Sequence, residues 1–128
     1  YVQTENITVL SFIVAIPMGA LACAILEINN IRDRAHDELA GKRTIAVRLG
    51  DTNARRLFVS LLLLAHVAAL ATLAPTALLT LLVAPMSYSI SKLVLSDVIG
   101  KDLIPVLGRT GKLQLMFAIV FALALAIQ

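Results

Sequence analysis

Between Val9 and Leu26 the chain carries no charged residue, and three further apolar stretches of similar character follow it. This clustering constrains the fold more than any single motif. A soluble protein of 128 residues divides its apolar side chains between a core and scattered surface positions; here they are gathered into segments. Hydrophobic residues make up 59% of the chain and charged residues 15%. The mean hydropathy of +0.92 lies outside the range of ordinary soluble domains. In lipid every backbone N–H and C=O has to be paired internally, so isolated apolar segments cross as helices. The expected class is all-α, a polytopic transmembrane helix bundle forming one membrane domain over residues 1–128.

A helix needs about 20 apolar residues, and no fewer than about 17, to cross a bilayer core. By that measure four spans are expected, over about 9–28, 57–73, 77–95 and 113–128. The fourth is the shortest and is expected to end early or at the interface. Pro17 and Gly19 in the first span and Pro85 in the third are candidate kinks. Cys23 stands alone in the first span, which excludes a disulfide framework or a cysteine metal cluster. Its expected role is a small packing residue at a helix interface.

All 11 Lys and Arg residues fall within Arg32–Arg56 or Lys92–Lys112. The N-terminal stretch Tyr1–Thr8 and the turn Ala74–Thr76 hold none. The positive-inside rule then makes the loops 29–56 and 96–112 cytoplasmic and sets the other ends outside. The net charge of +3 is a topology signal on this reading, and no nucleic-acid partner is expected. The chain opens at Tyr1, and its first span has neither a basic lead-in nor a small-residue cleavage site. It is expected to be the C-terminal part of a protein about twice as long.

The polar block Asn29-Asn30-Ile31-Arg32-Asp33-Arg34-Ala35-His36-Asp37 leaves the first span and runs on to Gly41-Lys42-Arg43-Thr44. If the helix continues past Ile28, Asn29, Asp33 and Asp37 recur every four residues and share one face. Two carboxylates so placed suit Mg²⁺, which takes hard oxygen ligands and is often held by one or two carboxylates together with substrate phosphates. Asn29 and Asn30 offer carbonyl oxygens or orient a bound water. Arg32, Lys42 and Arg43 suit a diphosphate, arginine as a fork and lysine as a point charge. The plainer alternative is a charged loop whose acids pair with Arg32 or Arg34. His36 is open to two readings, a third ligand or a solvated side chain. Asp51 reads as the N-cap of the second helix.

Outside this block the candidates are fewer. His66 lies mid-span, where an ionisable group is by default a functional hypothesis, although a neutral histidine bonded to a neighbouring helix explains it equally. Lys92, at the end of Ser87-Tyr88-Ser89-Ile90-Ser91, either reaches a diphosphate or snorkels to the interface. Asp97, Lys101 and Asp102 read as solvated.

The run from Asn29 to Asp51, N-N-I-R-D-x-x-x-D-x-x-x-G-K-R-T-x-A-V-R-L-G-D, resembles the second aspartate-rich region of the UbiA superfamily of intramembrane prenyltransferases. The stretches Leu103–Leu107 and Thr110–Leu115 resemble that family's last loop and last helix. The resemblance implies a nine-helix bundle around a cavity open to lipid, and transfer of a polyprenyl chain from its diphosphate to an aromatic acceptor. It further implies Mg²⁺ held by Asp33 and Asp37, with diphosphate binding by Asn29, Asn30, Arg32, Lys42 and Arg43. The nearest branch takes 1,4-dihydroxy-2-naphthoate as acceptor and releases CO₂ to give demethylmenaquinone, which implies a bacterial inner (plasma) membrane. The family's first aspartate motif is not found in this sequence. Other acceptors (4-hydroxybenzoate, haem, a chlorophyllide) and a non-catalytic four-helix membrane protein are the alternatives. A CDP-alcohol phosphotransferase is disfavoured, because its longer Asp-Gly and Ala-Arg pattern is absent.

Overall fold

The computed structural model describes residues 9–72, 75–96 and 98–127. The expected outward-facing Tyr1–Thr8 stretch, Ala74 of the turn and Asp97 lie outside the described residues. Four helices are long and apolar enough to cross a membrane, and no strand occurs among the described residues. α1 spans Val9–Leu39, α2 Ile45–Leu70, α3 Ala84–Val94 and α4 Ile104–Ala126, with 3₁₀ turns over Pro75–Val83 and Gly100–Leu103.

α1 contains Pro17 without being ended by it, and it runs on through the polar block for three turns beyond Ile28. Its 31 residues extend about 46 Å at 1.5 Å per residue, well over the ~30 Å of a hydrocarbon core. The surplus carries Asn29–Asp37 out of the apolar zone on a rigid helix. Gly41 ends it. With φ 72° it takes the left-handed conformation that costs a side-chain-bearing residue energy. Its N–H bonds the Glu38 carbonyl at 3.1 Å and the Lys42 N–H bonds the Asp37 carbonyl at 2.9 Å, the two bonds of a Schellman ending.

α2 begins at Ile45, earlier than hydropathy alone suggests, and its N-cap is Thr44, whose Oγ1 accepts from the Val47 N–H. The expected cap, Asp51, has another partner. Gly50, at φ 75° and ψ 166°, interrupts α2, so Asp51 opens the uninterrupted stretch, and its carboxylate pairs with Arg55. The third crossing is composite. Pro85 sits in the first turn of α3, where its missing N–H costs nothing, so it starts a helix and does not kink one. The 3₁₀ stretch before it rises about 2 Å per residue, which lets the 20 residues of Pro75–Val94 cover more depth than α-helix would. α4 starts at Ile104, nine residues ahead of the expected Leu113, with Pro105 in its first turn. With the turn before it, Gly100–Ala126 gives 27 residues, so the last crossing is full length.

The core runs along the seam of the bundle, where α1 packs chiefly on α2 and also on α4. Ala20 and Ala24 of α1, and Ala54, Ala65 and Ala69 of α2, are buried in it. Small residues four apart let helix backbones approach closely, which matters in lipid because no hydrophobic drive holds the helices together. Phe58, Phe117, Leu21 and Leu62 fill the remaining space. Large apolar residues such as Phe12, Leu63, Leu82 and Leu123 face outward and exposed, as expected of a surface met by lipid or by other membrane helices. Cys23 is also exposed, so it does not pack at an interface among the described residues.

Candidate diphosphate and metal site

The end of α1 presents the polar block as a helical face. Asp33 and Asp37 stand one turn apart, and each is already met by a cation from the same motif. Arg32 grips Asp33 as a fork, Nε to Oδ1 at 2.8 Å and Nη2 to Oδ2 at 2.6 Å. A charge-assisted, two-point contact of this kind favours the ionised carboxylate and fixes its plane. Lys42 Nζ lies 3.0 Å from Asp37 Oδ1, and its own backbone N–H closes the helix on the Asp37 carbonyl. The Schellman turn at Gly41 therefore brings the lysine back over the acid five residues earlier. The Asp37 side chain is only 8% exposed against 64% for Lys42, so the ammonium covers the carboxylate from the solvent side.

Asn29 and Asn30 are half-buried on the turn below, while His36 and Arg43 are exposed. Among the described residues no group of three His, Cys, Asp or Glu side chains gathers to hold a metal, so His36 does not complete a site with the two acids. The chain contributes two carboxylate oxygen donors on one face, chemistry that fits Mg²⁺ bound jointly with phosphate oxygens. Its cationic side chains stand close by. A ligand bearing a diphosphate would meet Lys42 and Arg43 first and would compete with the acids for Arg32 and Lys42.

A network not visible in the sequence ties this face to the rest of the bundle. Arg34 of α1 bonds Glu38 at 3.4 Å and approaches Asp51 of α2 at 3.8 Å. Asp51 in turn receives Arg55 at 2.6 Å. Arg55 is buried and donates to the carbonyls of Val94, Ser96 and Val98 at 2.6, 3.0 and 2.8 Å. These carbonyls belong to the end of α3 and the segment after it, where helix geometry leaves them without intrahelical donors. Arg55 thus fastens three segments at one end of the bundle. In the sequence it appears only as half of an Arg pair before a span; partners some forty residues away leave no local signal. Glu27, one turn into the apolar zone, is also buried, and its Oε1 has no partner among the described residues. His66 does bond to a neighbouring helix, with Nε2 2.9 Å from Ser87 Oγ.

The profile of the UbiA prenyltransferase family matches residues 1–102. The chain belongs to this family. Among curated UbiA relatives, a 1,4-dihydroxy-2-naphthoate octaprenyltransferase of Mycobacterium tuberculosis is 39% identical over 98% of this chain and 44% of its own length. The protein of the same name in Escherichia coli is 34% identical over 98% of this chain and 42% of its own length. A human protein, UbiA prenyltransferase domain-containing protein 1, is 34% identical over 98% of this chain and 37% of its own length. The chain thus spans less than half the length of these UbiA relatives. No solved structure matches it.

Proposed function

We propose that this chain is the C-terminal, diphosphate-binding part of a UbiA-type prenyltransferase that joins a polyprenyl chain to 1,4-dihydroxy-2-naphthoate. The observation that carries the reading is the end of α1, where Asp33 and Asp37 share a face and Arg32 and Lys42 are bound to them. The bacterial relatives named as 1,4-dihydroxy-2-naphthoate octaprenyltransferases support the acceptor. The polar end of the bundle faces the cytoplasm of a bacterial inner membrane on this reading.

Asp33 and Asp37 would hold Mg²⁺ together with the substrate's phosphate oxygens. Bound there, the ion supplies neutralisation of charge on the leaving diphosphate. Arg32, Lys42 and Arg43 add positive charge at the same place, aimed at the charge that grows as the allylic C–O bond breaks with its electron pair. Asn29 and Asn30 orient the diphosphate from the turn below. Lipid-facing helices keep water from the electron-poor allyl group. The ring carbon of the acceptor takes it in a new C–C bond, and the ring carboxylate leaves as CO₂, giving demethylmenaquinone in its quinol form.

The test is prenyl transfer in nanodiscs from a polyprenyl diphosphate to 1,4-dihydroxy-2-naphthoate, with the chain alone and co-expressed with the N-terminal half of a relative. Transfer that needs the N-terminal half and Mg²⁺, and that disappears in Asp33→Ala, is the expected result. No transfer from a folded, complemented protein would leave a non-catalytic membrane protein as the better reading.

A further inference from the structure

Each acid on the α1 face carries a cation from its own motif, and the two pairs are built differently. Arg32 is the residue next to Asp33 and grips it at two points, with both side chains half-buried. Lys42 reaches Asp37 from beyond the Schellman turn, Nζ to Oδ1 at 3.0 Å. There the carboxylate is buried and the ammonium exposed, so Lys42 stands between Asp37 and water. Its backbone N–H is bonded to the Asp37 carbonyl at 2.9 Å. The lysine is therefore anchored at its root whichever way its side chain turns.

An ammonium and a divalent cation repel each other at one carboxylate. Asp37 is thus open to a divalent ion only to the extent that Lys42 leaves it. Leaving is easy, because the side chain is a point charge on a flexible four-carbon stem. Swinging it away breaks one ion pair and no backbone bond. A diphosphate can draw it off, since it offers more negative charge and more acceptor oxygens than a single carboxylate. Asp33 is a different case. Arg32 takes one lone pair from each carboxylate oxygen and leaves another on each, so Asp33 can accept a second cation with its arginine in place. Of the two acids, only Asp37 has a removable cover.

We propose that Lys42 is a built-in counter-ion that closes Asp37 to divalent cations until a diphosphate takes its ammonium. The proposal concerns regulation of the diphosphate site and rests on the prenyl-transfer reading for the ligand's identity. Its consequence is coupling. Diphosphate strengthens divalent-ion binding at Asp37, and by linkage the ion strengthens diphosphate binding by the same factor. The acidic face then takes up its full charge of divalent cation together with the ligand rather than ahead of it.

Equilibrium binding tests it without turnover. The full chain in phosphatidylcholine nanodiscs is titrated with Mn²⁺, a paramagnetic stand-in for Mg²⁺, with and without inorganic diphosphate. Electron paramagnetic resonance reads the free ion. The Mn²⁺–diphosphate complex formed in solution is common to every sample, so differences between variants belong to the protein. Without diphosphate, Lys42→Gln is expected to bind Mn²⁺ about fivefold more tightly than the parent chain, the equivalent of a part-exposed ion pair at its strongest. Lys42→Arg keeps the pair and should bind as the parent does. Diphosphate should tighten Mn²⁺ binding in the parent, and about fivefold less in Lys42→Gln. In an Asp37→Asn background Lys42→Gln should have no effect. Arg48→Gln removes an exposed positive charge from the same end of the bundle and should leave Mn²⁺ binding unchanged. Equal tightening in Arg48→Gln would make the effect one of net charge and overturn the proposal. So would unchanged binding in Lys42→Gln, tightening that persists in Asp37→Asn, or no Mn²⁺ binding above protein-free nanodiscs. The transfer assay decides the enzyme reading separately. Gated Mn²⁺ binding without transfer keeps the counter-ion and rejects the enzyme, while transfer with Mn²⁺ binding indifferent to Lys42→Gln does the reverse.

Discussion

Asp33 and Asp37 sit in different surroundings although they are one turn apart. The Asp33 side chain is 39% exposed and held by an adjacent arginine, whereas Asp37 is covered and tied to the helix ending through Lys42. Asp33 is therefore the more accessible carboxylate and Asp37 the more rigidly placed one. Replacing Asp33 with Asn keeps the shape and removes the charge. Its partly exposed pair with Arg32 is worth at most about 1 kcal/mol, so thermal stability in detergent should barely change. Transfer by the complemented enzyme should fall by roughly 10²–10³-fold, the range found when one charge-stabilising group is lost. A fall in stability equal to the fall in activity would show that the residue only holds the fold. Arg55 is the opposite case. It contacts no part of the proposed ligand site, yet Arg55→Ala leaves Asp51 and three carbonyls without their donor. Hydrogen bonds to a charged group contribute about 1.5–3 kcal/mol each, so unfolding measured by denaturant titration in micelles should shift by at least ~2 kcal/mol. Amide exchange should rise first in residues 95–99.

Most of the polar block is helix rather than loop. α1 carries it beyond the apolar zone, and the Schellman ending at Gly41 turns the chain so that Lys42 meets Asp37. Gly41→Ala puts a Cβ on a residue at φ 72°, a strain of about 1–2 kcal/mol. The added carbon meets nothing within 4 Å, so crowding contributes no further cost. The variant should lose about that much stability and loosen Lys42, seen as faster exchange of its amide; an unchanged exchange rate would show that the turn does not depend on glycine. The sequence made part of this element readable. Four-residue spacing put Asn29, Asp33 and Asp37 on one face, and Gly-Lys-Arg-Thr marked a stop followed by a new cap. It did not reveal where α2 and α4 begin, because hydropathy reports the depth of apolar side chains and helices continue into water. Ile45–Arg56 and Ile104–Lys112 are helical with charges among them, and a span drawn from apolar runs leaves them out. The partner of His66 was illegible for another reason. His66 and Ser87 are 21 residues apart, and only the packing of the two helices makes them a pair.

At the scale of the whole molecule the helices alternate in direction, and side-chain bonds mark the two ends. Arg34, Asp51 and Arg55 join the end of α1, the start of α2 and the end of α3. At the other end Thr76 Oγ1 donates to the Ala124 carbonyl at 2.6 Å, joining the start of the third crossing to the end of α4. The up-and-down arrangement therefore gathers both charged stretches, and with them all 11 Lys and Arg residues, toward one end. By the positive-inside rule a bundle so polarised is expected to set this end on the cytoplasmic side. The proposed diphosphate site lies at that end, so on that reading Mg²⁺ reaches it from the cytoplasm while the prenyl chain of the polyprenyl diphosphate stays in lipid. Sidedness can be read directly. In a Cys23→Ser background, single cysteines at two exposed positions, Arg43→Cys near the proposed diphosphate site and Ala71→Cys at the far end, report which face each occupies. A membrane-impermeant maleimide should modify Arg43→Cys in inverted vesicles and not in intact spheroplasts, and Ala71→Cys the other way round. The opposite pattern would put the acidic face outside the cell, away from any cytoplasmic supply of polyprenyl diphosphate, and the proposed reaction could not run there.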